Sequence, residues 1–161
     1  MKKYFLITVL LLFIVISSAC SGEIIPAEDP GMTGYVMQKD NNRILVIDSK
    51  PQDFSSSGGV SEFYNAIWFS NSPDEVKIGD KVAVWFDAVA ESYPGQSEAI
   101  YVEIIDSIKP GDAILTEAQA LNRALEARGN GSAAALQSIY YNSDQKQWEV
   151  SLKEILSEDA A

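Results

Sequence analysis

The sequence predicts a mainly β fold that ends in a helix and a further pair of strands. Three observations carry this expectation. Between residues 32 and 105 stand five runs rich in β-branched, aromatic and other apolar residues, and the last two have a period of two. The segments between them are polar or contain Pro and Gly, the composition of turns and loops. From Thr116 the apolar spacing changes to that of a helix, then returns to that of strands.

Residues 32–36 and 43–47 read as the first two strands, and the intervening QKDNNR has the polar chemistry of a hairpin turn. Residues 48–61, DSKPQDFSSSGGVS, read as a long mobile loop. Residues 62–70 supply a third strand. Ser72 is placed to cap a short turn of helix with Pro73 in its first position, where Asp74 and Glu75 would face the positive end of the dipole. In the next run, Val82, Val84 and Phe86 alternate with Ala83, Trp85 and Asp87. In the last, Ile100, Val102 and Ile104 alternate with Tyr101, Glu103 and Ile105. Pro94 and Gly95 between them suit the central positions of a type II turn. Both faces of each run carry apolar residues, which suits a small closed barrel with partial cover outside. Five strands with a short helix between the third and fourth is the element order of an OB-type barrel. The expectation for residues 32–108 is therefore a five-stranded OB-like β-barrel.

Residues 109–161 form a helix-plus-hairpin tail. Thr116 is the expected N-cap, Gln119 completes a capping box and Gly129 ends the helix. Ala118, Leu121, Ala124 and Leu125 mark its apolar stripe. Residues 136–141 and 148–152 read as two strands around the polar NSDQKQ. The tail either packs on the barrel or stands as a separate lobe.

The first 19 residues have the layout of a signal peptide: Lys2 and Lys3, an apolar run over residues 4–16, then Ser17, Ser18 and Ala19. That run is shorter than the ~20 residues needed to span a bilayer. Cys20, the one cysteine of the chain, completes a stretch that resembles a bacterial lipobox, in which the Cys is lipidated and becomes the mature N-terminus. Ser17 stands where Leu is usual in that motif, and the small residues also suit ordinary cleavage and secretion. Acyl chains on Cys20 would hold the protein at the membrane, facing outside the cytoplasm. Residues 20–31, rich in Pro, Gly and acids, read as a flexible tether.

Composition narrows the chemistry. The net charge of −11, from 12 basic and 23 acidic side chains, repels phosphate backbones and argues against nucleic acid as a partner. The chain has no His, so the side chain best suited to proton transfer near neutral pH is missing. One Cys permits neither an internal disulfide nor a thiolate metal cluster. No metal and no cofactor is expected. Asp87 and Glu91 are the acids nearest to a carboxylate pair, but glycoside cleavage needs a set separation across a cleft that spacing does not supply. They read as exposed acids at a strand end. Trp68, Trp85 and Tyr93 are aromatics that could stack on a ligand.

The stretch KIGDKVAVWFD at residues 77–87, then ESYPGQ at residues 91–96, then an alternating strand, resembles a family of small lipoproteins of bacillus-type Gram-positive bacteria. That family is a YobA-like domain of unknown function. The resemblance implies an OB-like β-barrel over residues 32–107 and brings no catalytic residues. The tail is only loosely similar to the repeating unit of PepSY-type extracytoplasmic domains.

The functional expectation is a membrane-anchored extracytoplasmic lipoprotein and not an enzyme. It would be a binding or interaction module whose partner is an envelope protein, a peptide or a wall polymer. A regulator or inhibitor of a secreted or envelope peptidase, working through the PepSY-like tail, is the alternative. Fold-level analogy directs the search for a ligand surface to the open barrel face and to two loops, residues 48–61 and 90–97. In and beside the second loop, Trp85, Asp87, Glu91, Tyr93 and Gln96 are the candidate ligand-facing residues.

Overall fold

The structure is a computed structural model and describes residues 26–129 and 131–155. Cys20, the signal peptide and the first half of the tether lie outside the described residues. Over the described residues the fold is mainly β, with one α-helix and a small hairpin.

Strands β1 (Met32–Asp40) and β2 (Arg43–Asp48) form the expected hairpin, with Asn41 at positive φ in its turn. Strand β3 (Ala66–Ser70) pairs antiparallel with β2, and β4 (Lys81–Trp85) pairs antiparallel with the first half of β1. Beyond these lie β5 (Gly95–Glu98), parallel to β3, and β6 (Tyr101–Ile105), antiparallel to β4. The hydrogen-bonded order is β5-β3-β2-β1-β4-β6, six strands with β5 and β6 at its two ends. The expected five-stranded count is corrected here. The backbone changes partner at Ala99 and Ile100, so that β5 lies on one edge and β6 on the other.

Two local expectations are also corrected, and the long loop proves to have hydrogen-bonded structure of its own. Residues 71–80 hold turns and no helix. Val76 is buried in the core, and the Lys39 ammonium occupies the carbonyl oxygens of Asp74 and Val76. Those carbonyls are thus satisfied from β1 without a helical ladder. The peptide between Tyr93 and Pro94 is cis, and Gly95 has no positive φ, so the type II turn does not form. The loop of residues 48–61 is folded back on itself: Gln52 and Phe63 exchange backbone hydrogen bonds of 2.7 and 2.9 Å. Residues Ser55–Ser57 make a 3-10 turn, and the Ser55 N–H donates to the Asp53 carboxylate at 2.8 Å.

The alternation in the strands serves two separate apolar clusters. Val36, Ile44, Val46, Ile67, Phe69, Val82, Val84 and Val102 point to one face and pack together. Tyr35, Met37, Leu45, Ile47 and Ala66 point to the other. Burying both faces of β1, β2 and β3 requires cover on the outside, and the tail supplies it. Helix α1 (Glu117–Arg128) contributes Leu121, while β7 (Ala134–Asn142) contributes Ala135 and Leu136 to the same cluster. Strand β8 (Gln147–Glu154) pairs only with β7. The tail is thus packed on the sheet, and the sheet face expected to be open is occupied. Of the alternating set Ile100, Val102 and Ile104 in and just before β6, Val102 is buried, whereas Ile100 and Ile104 are exposed.

The helix bounds follow the sequence signals. Thr116 and Gln119 form the capping box, with bonds of 3.0 and 3.3 Å, and Gly129 closes the helix at φ 81°. Two further N–H groups of the first turn donate to the preceding segment: Glu117 to the Ile108 carbonyl and Ala118 to the Ser107 hydroxyl, both at 2.8 Å. The latter two contacts fix the helix start against the segment that follows β6. Ala120 and Leu121 are its buried residues, whereas Ala118 sits over Gly79. A Cβ at Gly79 would stand 2.3 Å from the Ala118 carbonyl oxygen, and its φ of +94° is left-handed.

Candidate functional site

The ends of β2 and β4 and the starts of β1, β3 and β5 lie on adjoining registers. Met32 pairs with Val84, Gly34 with Asp48, Ile47 with Ala66, and Ile67 with Gly95. Two loops therefore leave from the same end of the sheet: residues 49–65 and residues 86–94. They meet through aromatic rings. Phe63 lies 5.4 Å from Tyr93 and 5.6 Å from Phe54, centroid to centroid. The Tyr93 hydroxyl donates to the Tyr64 carbonyl at 2.7 Å, which ties one loop to the other. Phe54 and Tyr93 remain 41% exposed, and Val60 and Val89 beside them are exposed as well. The result is an aromatic and aliphatic patch held at the sheet end.

Its supports are local. Ala90 pairs with Gln96, the Ser97 hydroxyl donates to the Ala88 carbonyl at 2.7 Å, and Ser92 donates to the Pro94 carbonyl at 2.8 Å. Around the patch the charge is mainly acidic. Hydrogen bonds from Ser55 hold Asp53 below its usual carboxylate range, so it stays charged. Burial raises Asp48, partly offset by a hydrogen bond from Gln52. Burial also raises the Tyr93 hydroxyl, keeping it protonated as the donor to Tyr64. Glu62 forms an ion pair with Lys153 of β8, joining this end to the tail.

Of the five residues the sequence nominated, the structure brings only Tyr93 into the patch. Trp85 is 9% exposed; its indole N–H donates to the Glu28 carbonyl at 2.7 Å and its ring lies 5.3 Å from Tyr101. The incoming chain covers it and leaves little of its ring to solvent. Asp87 and Glu91 are exposed, and Asp87 lines a shallow groove of about 360 Å³ with Asn71, Ser97 and Glu98. Gln96 is exposed on β5, opposite Trp68. The three stacking candidates are dispersed: Trp68 lies under the Arg43 guanidinium at 4.9 Å, on the outer face of β3. The sequence reading missed Phe54 and Phe63. Phe54 was an aromatic in a loop otherwise built of Ser, Gly, Pro and charge, whereas Phe63 stood in the run read as the third strand. Among the described residues, no group of three or more acids or other donors is placed to hold a metal ion.

Residues 33–106 match the model of a family described as protein of unknown function (DUF3221). Over 100 residues the chain is 32% identical to the uncharacterized protein YobA of Bacillus subtilis (strain 168), spanning 53% of this chain and 83% of that protein. The chain belongs to the DUF3221 family. Two solved structures of the same Bacillus subtilis protein are also similar. The solution structure of its residues 21–120 covers 54% of this chain and 91% of that one, at 20% identity and a TM-score of 0.36. The crystal structure covers 51% and 100%, at 26% identity and a TM-score of 0.35. The aromatic patch lies wholly within the DUF3221 part, because Phe54, Phe63 and Tyr93 all fall inside residues 33–106. Helix α1 and the β7–β8 hairpin lie beyond the DUF3221 match.

Proposed function

We propose that this protein is a membrane-anchored extracytoplasmic lipoprotein and a non-catalytic binding module of the cell envelope. Its ligand is a wall polymer, which it meets with the Phe54–Phe63–Tyr93 end. The observation that carries this reading is the patch itself: two loops far apart in sequence converge to leave aromatic rings partly in solvent, and rings so placed supply apolar contact area at low entropic cost. The acidic surround disfavours polyanions, so the contacted polymer segment is neutral or cationic.

The anchor is the lipid on Cys20, supported by the lipobox-like segment before it. The sheet is read as an OB-like barrel that closes where β5 passes into β6. Supporting this, Ala99 donates to the Ser70 carbonyl at 3.0 Å and Ile100 to the Trp85 carbonyl at 2.8 Å, reaching both edges from adjacent residues.

Co-sedimentation with purified insoluble cell wall tests the binding reading. Wild type should pellet with the wall, and Phe54→Ala with Tyr93→Ala should lower affinity roughly tenfold or more, the scale of two aromatic anchors. Equal sedimentation of the variant would overturn it. The anchor has a separate test, since Cys20→Ser should abolish acyl labelling while leaving wall binding intact.

A further inference from the structure

We propose that the groove between α1 and the β7–β8 hairpin is a second ligand site, built for a small amphipathic anion: an apolar body carrying one acidic group. The groove encloses about 510 Å³. That lies within the ~300–1,000 Å³ usual for small-molecule sites. Leu115, Ala120, Ala124 and Val150 give it apolar walls, and Ile114 stands at the lip with 88% of its surface in solvent. Tyr141 and Trp148 line the hairpin side as an edge-to-face pair, 5.5 Å between centroids at 60°. The Trp148 indole N–H donates to the Leu115 carbonyl at 3.1 Å, so the ring is held in place before any ligand arrives.

Charge decides the ligand class. Three other grooves on the described residues each contain two carboxylates: Asp40 with Glu126, Asp106 with Glu117, and Asp87 with Glu98. The α1–hairpin groove has none, in a chain with 23 acids. Instead it has Arg123 from the helix and Lys146 from the hairpin turn. Neither makes an ion pair among the described residues. Asp112 interacts with the Tyr141 hydroxyl from outside the lining. Two cations without an ion pair among the described residues, beside apolar and aromatic walls, match an apolar molecule with an anionic end.

The probe pair is 8-anilinonaphthalene-1-sulfonate and its uncharged counterpart N-phenyl-1-naphthylamine. Each is titrated into the purified protein while the Trp148 indole N–H signal is followed by NMR. The sulfonate should shift that signal saturably. Replacing both cations, Arg123→Gln with Lys146→Gln, should weaken the sulfonate about tenfold and leave the neutral dye within about twofold, as expected for two exposed charge contacts. Ala124→Trp, which fills the groove from an incompletely buried helix position, should abolish the shift with both dyes. A Trp148 signal that does not respond to the sulfonate overturns the site. Unchanged sulfonate affinity in the double variant overturns its anion preference.

Discussion

The Tyr35 hydroxyl on β1 donates a 2.8 Å hydrogen bond to the Glu117 carboxylate in the first turn of α1, across 82 residues of sequence. It links the DUF3221 sheet to a helix outside the family match. Lys81 lies 5.5 Å over the Tyr35 ring, so the phenol is held from three sides: cation, carboxylate and the outer apolar cluster. Glu117 also sits where a negative charge complements the helix dipole.

Tyr35→Phe removes this bond and leaves the part-exposed Glu117 to water. The expected cost is about 1–2 kcal/mol, measured by chemical denaturation at neutral pH. The same tyrosine makes the fold sensitive to alkali. Its folded-state pKa is raised above the unfolded value of 10.0, first by burial and then by Glu117. The folded state therefore holds its proton where the unfolded state releases it. The stability linked to Tyr35 is complete below pH 10 and falls as pH rises beyond it. Melting temperature should stay level from pH 7 to about pH 9.5 and drop above, and Tyr35→Phe should drop less steeply.

Leu121 is fully buried between the helix and the sheet. Leu121→Ala should cost about 2–5 kcal/mol by denaturant titration. Deleting the tail after residue 108 is harsher. It uncovers Tyr35, Met37, Leu45, Ile47 and Ala66 together. An apolar sheet face of that kind should make the truncated chain aggregate, visible by light scattering. A soluble, monomeric truncation would refute the cover role assigned to the tail. It also follows that loss of partner binding on tail deletion cannot locate a binding site in the tail.

Gly79→Ala should be among the most damaging small substitutions. A methyl group there meets the Ala118 backbone oxygen at 2.3 Å, and the positive φ adds strain. A loss of more than about 2 kcal/mol is expected, read by thermal melting. Ala at Gly111, where a Cβ meets nothing within 4 Å, should be close to neutral by the same measurement.

Tyr93→Phe keeps the ring in the patch but removes its bond to the Tyr64 carbonyl. The loop of residues 49–65 should then separate more often from the loop of residues 86–94, so limited proteolysis within residues 49–65 should accelerate several-fold at little cost to global stability. Unchanged cleavage would show that ring packing alone joins the loops.

How far the sequence reached depends on the range of each contact. The capping box, Gly129 and the hairpin turns rest on residues one to four apart, so Thr116, Gln119 and the β1–β2 turn were legible directly. Strand alternation also survived, but its two faces looked alike because both bury apolar side chains. β5 was hidden, since its parallel pairing with β3 joins Gly95 to Ile67 and leaves no local pattern. Trp85 looked available because nothing nearby in sequence indicates that Glu28 covers it.

By itself the sequence determined the β-rich class, the helix and its ends, the tail hairpin and the family likeness, because each arises from short-range periodicity or a contiguous motif. Only the tertiary structure decided which face of the sheet the tail covers, and that Phe54, Phe63 and Tyr93 converge. The physical reason is that packing joins residues tens of positions apart through shape and burial, and a linear pattern carries neither.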